Sequence, residues 1–285
     1  GGAVRKACEQ QVERFEKMCT DLLVEKGNNW CKQHGIDFWN YKKKGWREIV
    51  TTDLHGNKVT QIMWQNIVSM AYSRAIDLSS QATHNTSGMQ GPSGTLTGDK
   101  QFYGFTYSSA CTEVEIDVLT GVTSVVRSDL LYDIGKSINP AVDIGQVEGA
   151  FVMGLGYMTT EYWVTETEKN KSTPIGALNT KNTWTYKPPA STNVPQDFRV
   201  DLFPRDSADE VPENPNLLMS SKGVGEPPLV LANTVFFAIK HAILAARKDR
   251  GDDKWFELKN PATVERVREA CQFKLKDLTF KCAKT

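Results

Sequence analysis

The sequence predicts an α+β fold in which mixed sheets pack against long buried helices. Three stretches carry that expectation. In "ACTEVEIDVLTGVTSVVRSDLLYDIG", Glu113, Glu115 and Asp117 alternate with Val114, Ile116 and Val118, the period-two pattern of a strand with one wet and one dry face. In "PPLVLANTVFFAIKHAILAARKDRG", residues 227–251, a long apolar run lies between a proline pair and a glycine, the framing of a buried helix. Near the N-terminus, apolar residues recur at Ala3, Val4, Ala7, Cys8, Val12, Phe15, Cys19, Leu22 and Leu23, the spacing of one helix face.

In chain order, the first helix is expected over residues 3–26, stopped by Gly27-Asn28-Asn29. Residues 28–60 are rich in Trp, Lys and Gly, and "REIVTTDLHGNKVTQIMW" reads as two short strands around His55-Gly56-Asn57. Residues 64–78 read as helical or mixed, and 79–101, full of Ser, Thr, Gly and Gln, as a loop. Residues 102–134 form a hairpin turning at Leu119-Thr120-Gly121, its acids a solvated face rather than a catalytic pair. After Asn139-Pro140 a helix is expected from Asp143, with Asp143 as its cap. Gly149, Gly154 and Gly156 inside it each cost about 1 kcal/mol against alanine. Something therefore lies close to that backbone, either a packed element or a bulky cofactor. Residues 164–218 hold the polar loops "TETEKNKSTP" and "PRDSADEVPENPN", with extended pieces at "TWTYKPP" and "DFRVDLF". In the run 227–251, Asn233, Lys240 and Arg247 form one narrow polar stripe, so that helix is expected to be mostly buried. A last helix follows Asn260-Pro261.

The 285 residues allow one large domain or two ordinary ones, and 40% hydrophobic with 24% charged residues is a soluble, globular composition. Lys+Arg and Asp+Glu balance at 34 each, which argues against electrostatic nucleic-acid binding. Lys42-Lys43-Lys44, beside Trp39, Tyr41 and Trp46, reads as a solvated loop. Cys8, Cys19, Cys31, Cys111, Cys271 and Cys282 form no CxxC pair and lie near no histidine at zinc-ligand spacing. They read as reduced, packed thiols of an intracellular protein. The four histidines are scattered and read as structural. No signal peptide and no apolar run long enough to cross a membrane is expected. The chain opens Gly1-Gly2 without a methionine, so Gly1 is expected not to be a translation start.

One carboxylate stands apart. In "SSKGVGEPPLV", Glu226 sits between Gly225 and Pro227-Pro228 at a helix mouth. It could cap the helix by accepting free backbone N–H groups. Glu is a poorer cap than Ser, Thr, Asp or Asn, however, and Gly223-Val224-Gly225 leaves room for a ligand. The other reading is a buried general base, with burial raising its pKa and the helix N-terminus lowering it.

"SSKGVGEPPLVLANTVFFAIKHAILAAR" closely resembles the segment carrying the active-site glutamate in the xanthine dehydrogenase/aldehyde oxidase family of molybdenum hydroxylases. "YSSACTEVEIDVLTG", "DIGKSINPAVDIGQVEGAFVMGLG" and "QDFRVDLFP" resemble further segments of that family, in the same order. The resemblance covers nearly the whole chain and corresponds to the C-terminal part of the family's molybdopterin-binding region, with residues 1–285 as that part. "GEPPL" looks more like the xanthine dehydrogenases. The resemblance implies that Glu226 is the catalytic base, taking a proton from a molybdenum-bound hydroxyl, and that Gln146 contacts the molybdopterin cofactor. No residue here is implied as a direct metal ligand.

The same resemblance implies hydroxylation of a purine or other N-heterocycle, xanthine or hypoxanthine in type, with oxygen from water; aldehyde oxidation is the alternative chemistry. The complete enzyme would also carry 2Fe-2S clusters and FAD, with NAD as acceptor. Its iron–sulfur, flavin and first molybdenum domains would lie upstream of Gly1 or on partner subunits, so this chain alone is expected to be inactive. A homodimer, a cytoplasmic location (peroxisomal as the variant), no nucleic acid and no membrane complete the expectation. Residues 28–60 look like an insertion relative to the family, as do parts of 164–180 and 204–216. The missing upstream half also leaves a second role open, that of a non-catalytic assembly subunit derived from the family.

Overall fold

Helix formation and strand pairing divide this chain into two compact units, Gly1–Gly94 and Thr95–Thr285. The computed structural model describes residues 1–34, 36, 49–52, 58–61, 63–84, 104–168, 173–203, 214 and 217–274, with backbone alone at 49–52, 58–61 and 63. The His55-Gly56-Asn57 turn, Lys42-Lys43-Lys44 and Cys282 lie outside the described residues, as do most of 79–101 and of 204–216.

In the first unit, α1 (Gly2–Lys26) ends where Gly27 turns to φ 81°, as its sequence requires, but Asn28 then opens a second short helix, α2 (Asn28–Gln33). β1 (Ile49–Thr52) and β2 (Lys58–Gln61) pair antiparallel, so the two expected strands form a ladder. α3 (Met63–Ser73) follows. Phe15, Met18, Cys19 and Leu22 of α1 are buried with Cys31, Ile36, Ile67 and Ala71, and Phe15 meets Trp64 edge-on at 5.5 Å. Only the second half of α1 buries its apolar face: Val4 is 66% exposed. Burial, joined by nearby Cys31 and Glu16, pushes the Cys19 thiol up to about 12.

The second unit is built on a three-stranded mixed sheet in the order β3 (Ser108–Ile116), β4 (Thr123–Tyr132), β5 (Asp197–Leu202). β3 and β4 form the expected hairpin, with Cys111, Glu113 and Glu115 on the wet face and Ala110, Thr112, Val114 and Ile116 turned inward. The register slips between Glu113 and Val114, a bulge that moves the dry face of β4 from Val125 to Ser128, Leu130 and Tyr132. β5 runs parallel to β4, from Arg127↔Asp197 to Tyr132↔Leu202, so the extended reading of "DFRVDLF" holds. "TWTYKPP" instead folds into a turn, because the Asn182 side chain accepts from the Trp184 N–H at 3.0 Å.

α4 (Pro140–Thr159) begins three residues earlier than the sequence led us to expect. Asn139, not Asp143, is the cap: its side chain accepts from Val142 N at 3.4 Å, and Pro140 fills the first helical position. Asp143 is buried in the first turn and accepts from Ser137 Oγ at 2.6 Å. Val147, Phe151, Leu155 and Met158 bury one face of α4 against the sheet and α5 (Asn233–Lys248).

The run from Pro227 also differs from expectation. Pro227–Ala232 is 3-10, and only then does α5 begin. Val235, Ile239, Ile243 and Arg247 bury one stripe, four residues apart, while Phe237 is 55% exposed. The helix is therefore half buried rather than mostly buried. By length and composition Pro227–Lys248 is apolar enough to cross a membrane, which corrects the expectation that no such run exists; its inward stripe is core of this unit. Nor is the polar stripe wet. Lys240 lies 5.3 Å from the Trp255 ring centre, and Arg247 is buried over Phe256 and ion-paired with Asp252 at 2.7 Å. Thr112 and Thr234 hydroxyls share a 2.8 Å hydrogen bond, tying the sheet to the start of α5. Across the molecule's second core, α6 (Val264–Cys271) adds Val267 and Cys271, and the hairpin turn at Gly121 (φ 81°) presses on it.

Two of the three glycines singled out in α4 are explained by packing. A Cβ on Gly154 would collide with the Leu229 carbonyl and lie 2.7 Å from Ala232 Cβ; one on Gly156 would lie 2.6 Å from Pro189. Gly149 has nothing within 4 Å. Gly154→Val should cost about 2 kcal/mol or more by overpacking, while Gly149→Ala should leave the fold as stable or add up to about 1 kcal/mol; urea unfolding distinguishes the two. Iodoacetamide labelling at pH 8 with peptide mapping should alkylate Cys19 at least about tenfold more slowly than exposed Cys8, because its thiolate is suppressed and buried.

Candidate functional site

The site is assembled where β4 runs out. Beyond Tyr132 the chain passes Asp133, Ile134 and Gly135, and the segment 220–223 lies against it. Lys222 N donates to Ile134 O at 2.8 Å and Lys136 N to Ser220 O at 3.1 Å. Gly135, at φ 69°, faces the Ser220 carbonyl at a distance that would exclude a Cβ. The Tyr132 hydroxyl donates to Gly223 O at 2.6 Å, and burial, above all, holds that phenol above the ordinary tyrosine range, so it remains a donor. Lys222 Nζ closes on Asp133 Oδ2 at 2.5 Å, with side chains 18% and 10% exposed, while Asp133 Oδ1 accepts from Gly135 N at 2.9 Å. The Tyr107 ring lies 5.5 Å from Lys222 Nζ.

From this junction two arms lead to the two sequence-nominated residues. One runs through the Asn139 cap into α4 and places Gln146 on its second turn, exposed. The other runs through Gly223-Val224-Gly225 to Glu226, then into Pro227–Ala232, which packs on α4 at Gly154 through the Leu229 carbonyl. The arms converge: a Cβ on Gly225 would stand 3.7 Å from Gln146 Oε1.

Glu226 does not cap its helix. Its side chain makes no cap hydrogen bond; only its backbone carbonyl is used, accepting from Leu229 N at 3.0 Å. Nor is it buried within this chain, where it is exposed beside exposed Gly225 and Pro227. Gln146 makes no side-chain hydrogen bond among the described residues either. Around the two, Gly145, Gly149 and Gly223 each have open space where a Cβ would stand. Val142 and Met153, at 54% and 67% exposure, border the strip on α4. The result is a polar amide and a carboxylate on a surface stripped of other side chains.

Among the described residues no group of three or more His, Cys, Asp or Glu side chains could hold a metal ion. Sequence reasoning nominated Gln146 and Glu226 and did not single out the Asp133–Lys222 junction. That pair joins residues far apart in the chain, and its only local trace was a lysine preceding the glycines.

Residues 1–195 match the family model of the molybdopterin cofactor-binding domain, and the chain belongs to that family. It is similar to xanthine dehydrogenase/oxidase of Mus musculus, 46% identical over 211 residues, covering 73% of this chain and 15% of that protein. It is also similar to indole-3-acetaldehyde oxidase of Arabidopsis thaliana, 37% identical over 218 residues, covering 74% of this chain and 14% of that protein. Of the two the dehydrogenase is the more similar, in keeping with "GEPPL". Among solved structures, reconstituted CO dehydrogenase from Oligotropha carboxidovorans matches with a TM-score of 0.46 and 20% identity, covering 59% of this chain and 18% of that one. The chain thus spans about a seventh of the length of the curated relatives it matches.

If Glu226 has no capping duty, Glu226→Ala should change unfolding free energy by no more than about 0.5 kcal/mol. Asn139→Ala, which removes a working cap, should cost about 1 kcal/mol. Chemical denaturation of the two variants side by side checks the contrast.

Proposed function

We propose that this chain is the C-terminal part of the molybdopterin-binding region of a molybdenum hydroxylase that oxidises a purine or other N-heterocycle of the xanthine or hypoxanthine type, using water-derived oxygen. Glu226 is its general base, and Gln146 contacts the cofactor. The observation that carries this reading is the meeting of Gln146 and Glu226 on one glycine-bared surface, with neither side chain engaged by the fold. Both side chains are exposed and, among the described residues, carry no bond that a bound group would have to break.

When bound, molybdenum-molybdopterin supplies the redox centre and the oxygen-transfer chemistry. The chain's own residues do the rest. The Gln146 amide offers one acceptor and two donors to the polar edge of the cofactor. The Gly145–Gly149 stretch of α4 lets a large flat group approach the helix backbone. Glu226 accepts a proton from a group brought within hydrogen-bond reach, about 2.6–3.2 Å, of its carboxylate. Its exposure in this chain means that the remainder of the enzyme must close over it to exclude water, which strengthens every charge interaction inside.

In this reading the remainder comprises the 2Fe-2S, FAD and first molybdenum domains, joined covalently or as subunits, with NAD as an electron acceptor, a homodimeric assembly and a cytoplasmic setting. Residues 28–60 are an insertion within the region; the self-paired β1–β2 ladder supports this, since neither strand joins the main sheet. Aldehyde oxidation is the second reading, favoured by the similarity to an indole-3-acetaldehyde oxidase.

In the complete enzyme, Glu226→Gln should lower turnover about 10²–10⁴-fold while molybdenum per chain, measured by elemental mass spectrometry, stays at the wild-type value. Unchanged turnover would remove Glu226 from the chemistry. A wild-type particle that carries no molybdenum when isolated under cofactor-retaining conditions would point instead to an assembly subunit.

A further inference from the structure

The Lys222–Asp133 ion pair lies four residues from Glu226 and touches nothing the reaction needs directly. Its worth to stability is small: taking two charges out of water offsets most of what their attraction returns, and apolar residues of similar size would serve the core as well. What an ion pair adds is fixed geometry between named atoms. Both partners here are already oriented, Asp133 by the Gly135 N–H and Lys222 by its own N–H on Ile134 O.

The chain around Glu226 shows why such fixing matters. Upstream, segment 220–223 is fastened to 132–136 by the ion pair and by the bonds from Lys222 N, Lys136 N and Tyr132 Oη. Downstream, Pro228 is buried and the Leu229 carbonyl is wedged against Gly154. Between these anchors lie only Val224, Gly225, Glu226 and Pro227. Two of the four residues leading up to the carboxylate, Gly223 and Gly225, are glycines, which open space and also loosen the backbone. Val224 packs against the core between the anchors, and the carboxylate two residues on keeps its place through that contact and through both held ends.

We infer that the Lys222–Asp133 pair is a positioning device for Glu226, holding its carboxylate at a fixed place relative to Gln146, which hangs from the same junction through the Asn139 cap. The inference rests on the proposed role of Glu226 as base. Misplacing a catalytic group by about 1 Å can cost on the order of 10²-fold in rate.

The test uses the complete enzyme and four forms: wild type, Glu226→Gln, the pair variant Lys222→Met with Asp133→Asn, and the triple combination. The pair variant removes charge from both partners at once, so no uncompensated buried ion is left to prevent folding; Lys222→Arg, which keeps the charge, is the conservative control. The pair variant is expected to keep its molybdenum and its KM within about twofold, and to lose kcat about 10- to 100-fold. Hydrogen exchange at the Lys222 and Lys136 amides should quicken at least about tenfold, while α4 is unchanged. Lys222→Arg should recover most of kcat. In the Glu226→Gln background the pair variant should add no further loss, since a device acting through Glu226 has nothing left to position. An unchanged kcat, unchanged exchange, or a loss that multiplies with that of Glu226→Gln would overturn the positioning role. If Glu226→Gln itself keeps its turnover, the base assignment falls and this inference falls with it. If Glu226→Gln is crippled and the pair variant is not, the positioning role alone falls.

Discussion

The second unit depends on one junction, the fastening of segment 220–223 to the end of β4. A strand that leaves its sheet must find new partners for its backbone groups, because buried N–H and C=O groups are costly unpaired. Here Ile134 O takes the Lys222 N–H and Lys136 N–H reaches back to Ser220 O, so the two segments satisfy one another just where the ladder stops. The Asp133–Lys222 pair and the Tyr132 hydroxyl lock the same crossing from the side-chain level. Everything on the candidate surface hangs from it. The path to α4 starts there, and so does the path to Glu226 and the 3-10 run that packs on α4.

Much of the scaffold was legible in the sequence and less of its tertiary detail. The β3–β4 hairpin could be read because alternation of Glu113, Val114, Glu115 and Ile116 is a local signal, decided by which face meets water. The start of α4 was misplaced because Asp143 was read as the cap and Asn139, four residues earlier, was not. Asn139 won since Pro140 behind it is pre-set for the first helical position, while Asp143 was drawn inward to Ser137. The burial of α5 was overestimated for a different reason. Apolar content around a helix says how much of it could be covered; it does not say that one chain supplies the cover, and here Phe237 and Val230 face outward. Arg247 shows the converse, a cation counted as polar surface whose stem and guanidinium are folded under Phe256 and Asp252. Of the site itself, Gln146 and Glu226 were visible through motifs, and their convergence was not, because it is made by packing between distant segments.

The glycines separate structural from functional demands. A glycine in a helix interior gives up about 1 kcal/mol against alanine, so its presence calls for a return. At Gly154 and Gly156 the return is inside the fold, in the contact with Leu229 and in that with Pro189. At Gly145 and Gly149 no neighbour within the fold comes near, and both fall on the face that carries Gln146. On the opposite arm Gly223 likewise has open space, while a Cβ on Gly225 would stand 3.7 Å from Gln146 Oε1. A stretch of backbone that forgoes side chains without any packing gain is best explained by a group that rests on it when the protein is complete, and the polar ends of Gln146 and Glu226 point to where that group must present its own polar atoms.

Exposure of Glu226 then becomes a statement about division of labour. A general base needs a definite position and a dry surrounding, and these are separable requirements. In the proposed reading this chain meets the first: two anchors, a proline-fixed helix start and a shared junction with Gln146 set where the carboxylate stands. Among the described residues no element covers that surface, so in the same reading the second is met from elsewhere. Val142 and Met153, which border that strip on α4, are 54% and 67% exposed, and Val230 on the 3-10 run is 63% exposed. Burying such side chains returns about 1.5–3 kcal/mol each, so whatever closes over the strip gains its adhesion from the rim while drying the centre. Placement by one segment and desolvation by another would let the carboxylate be held rigidly during folding yet become a competent base only on assembly.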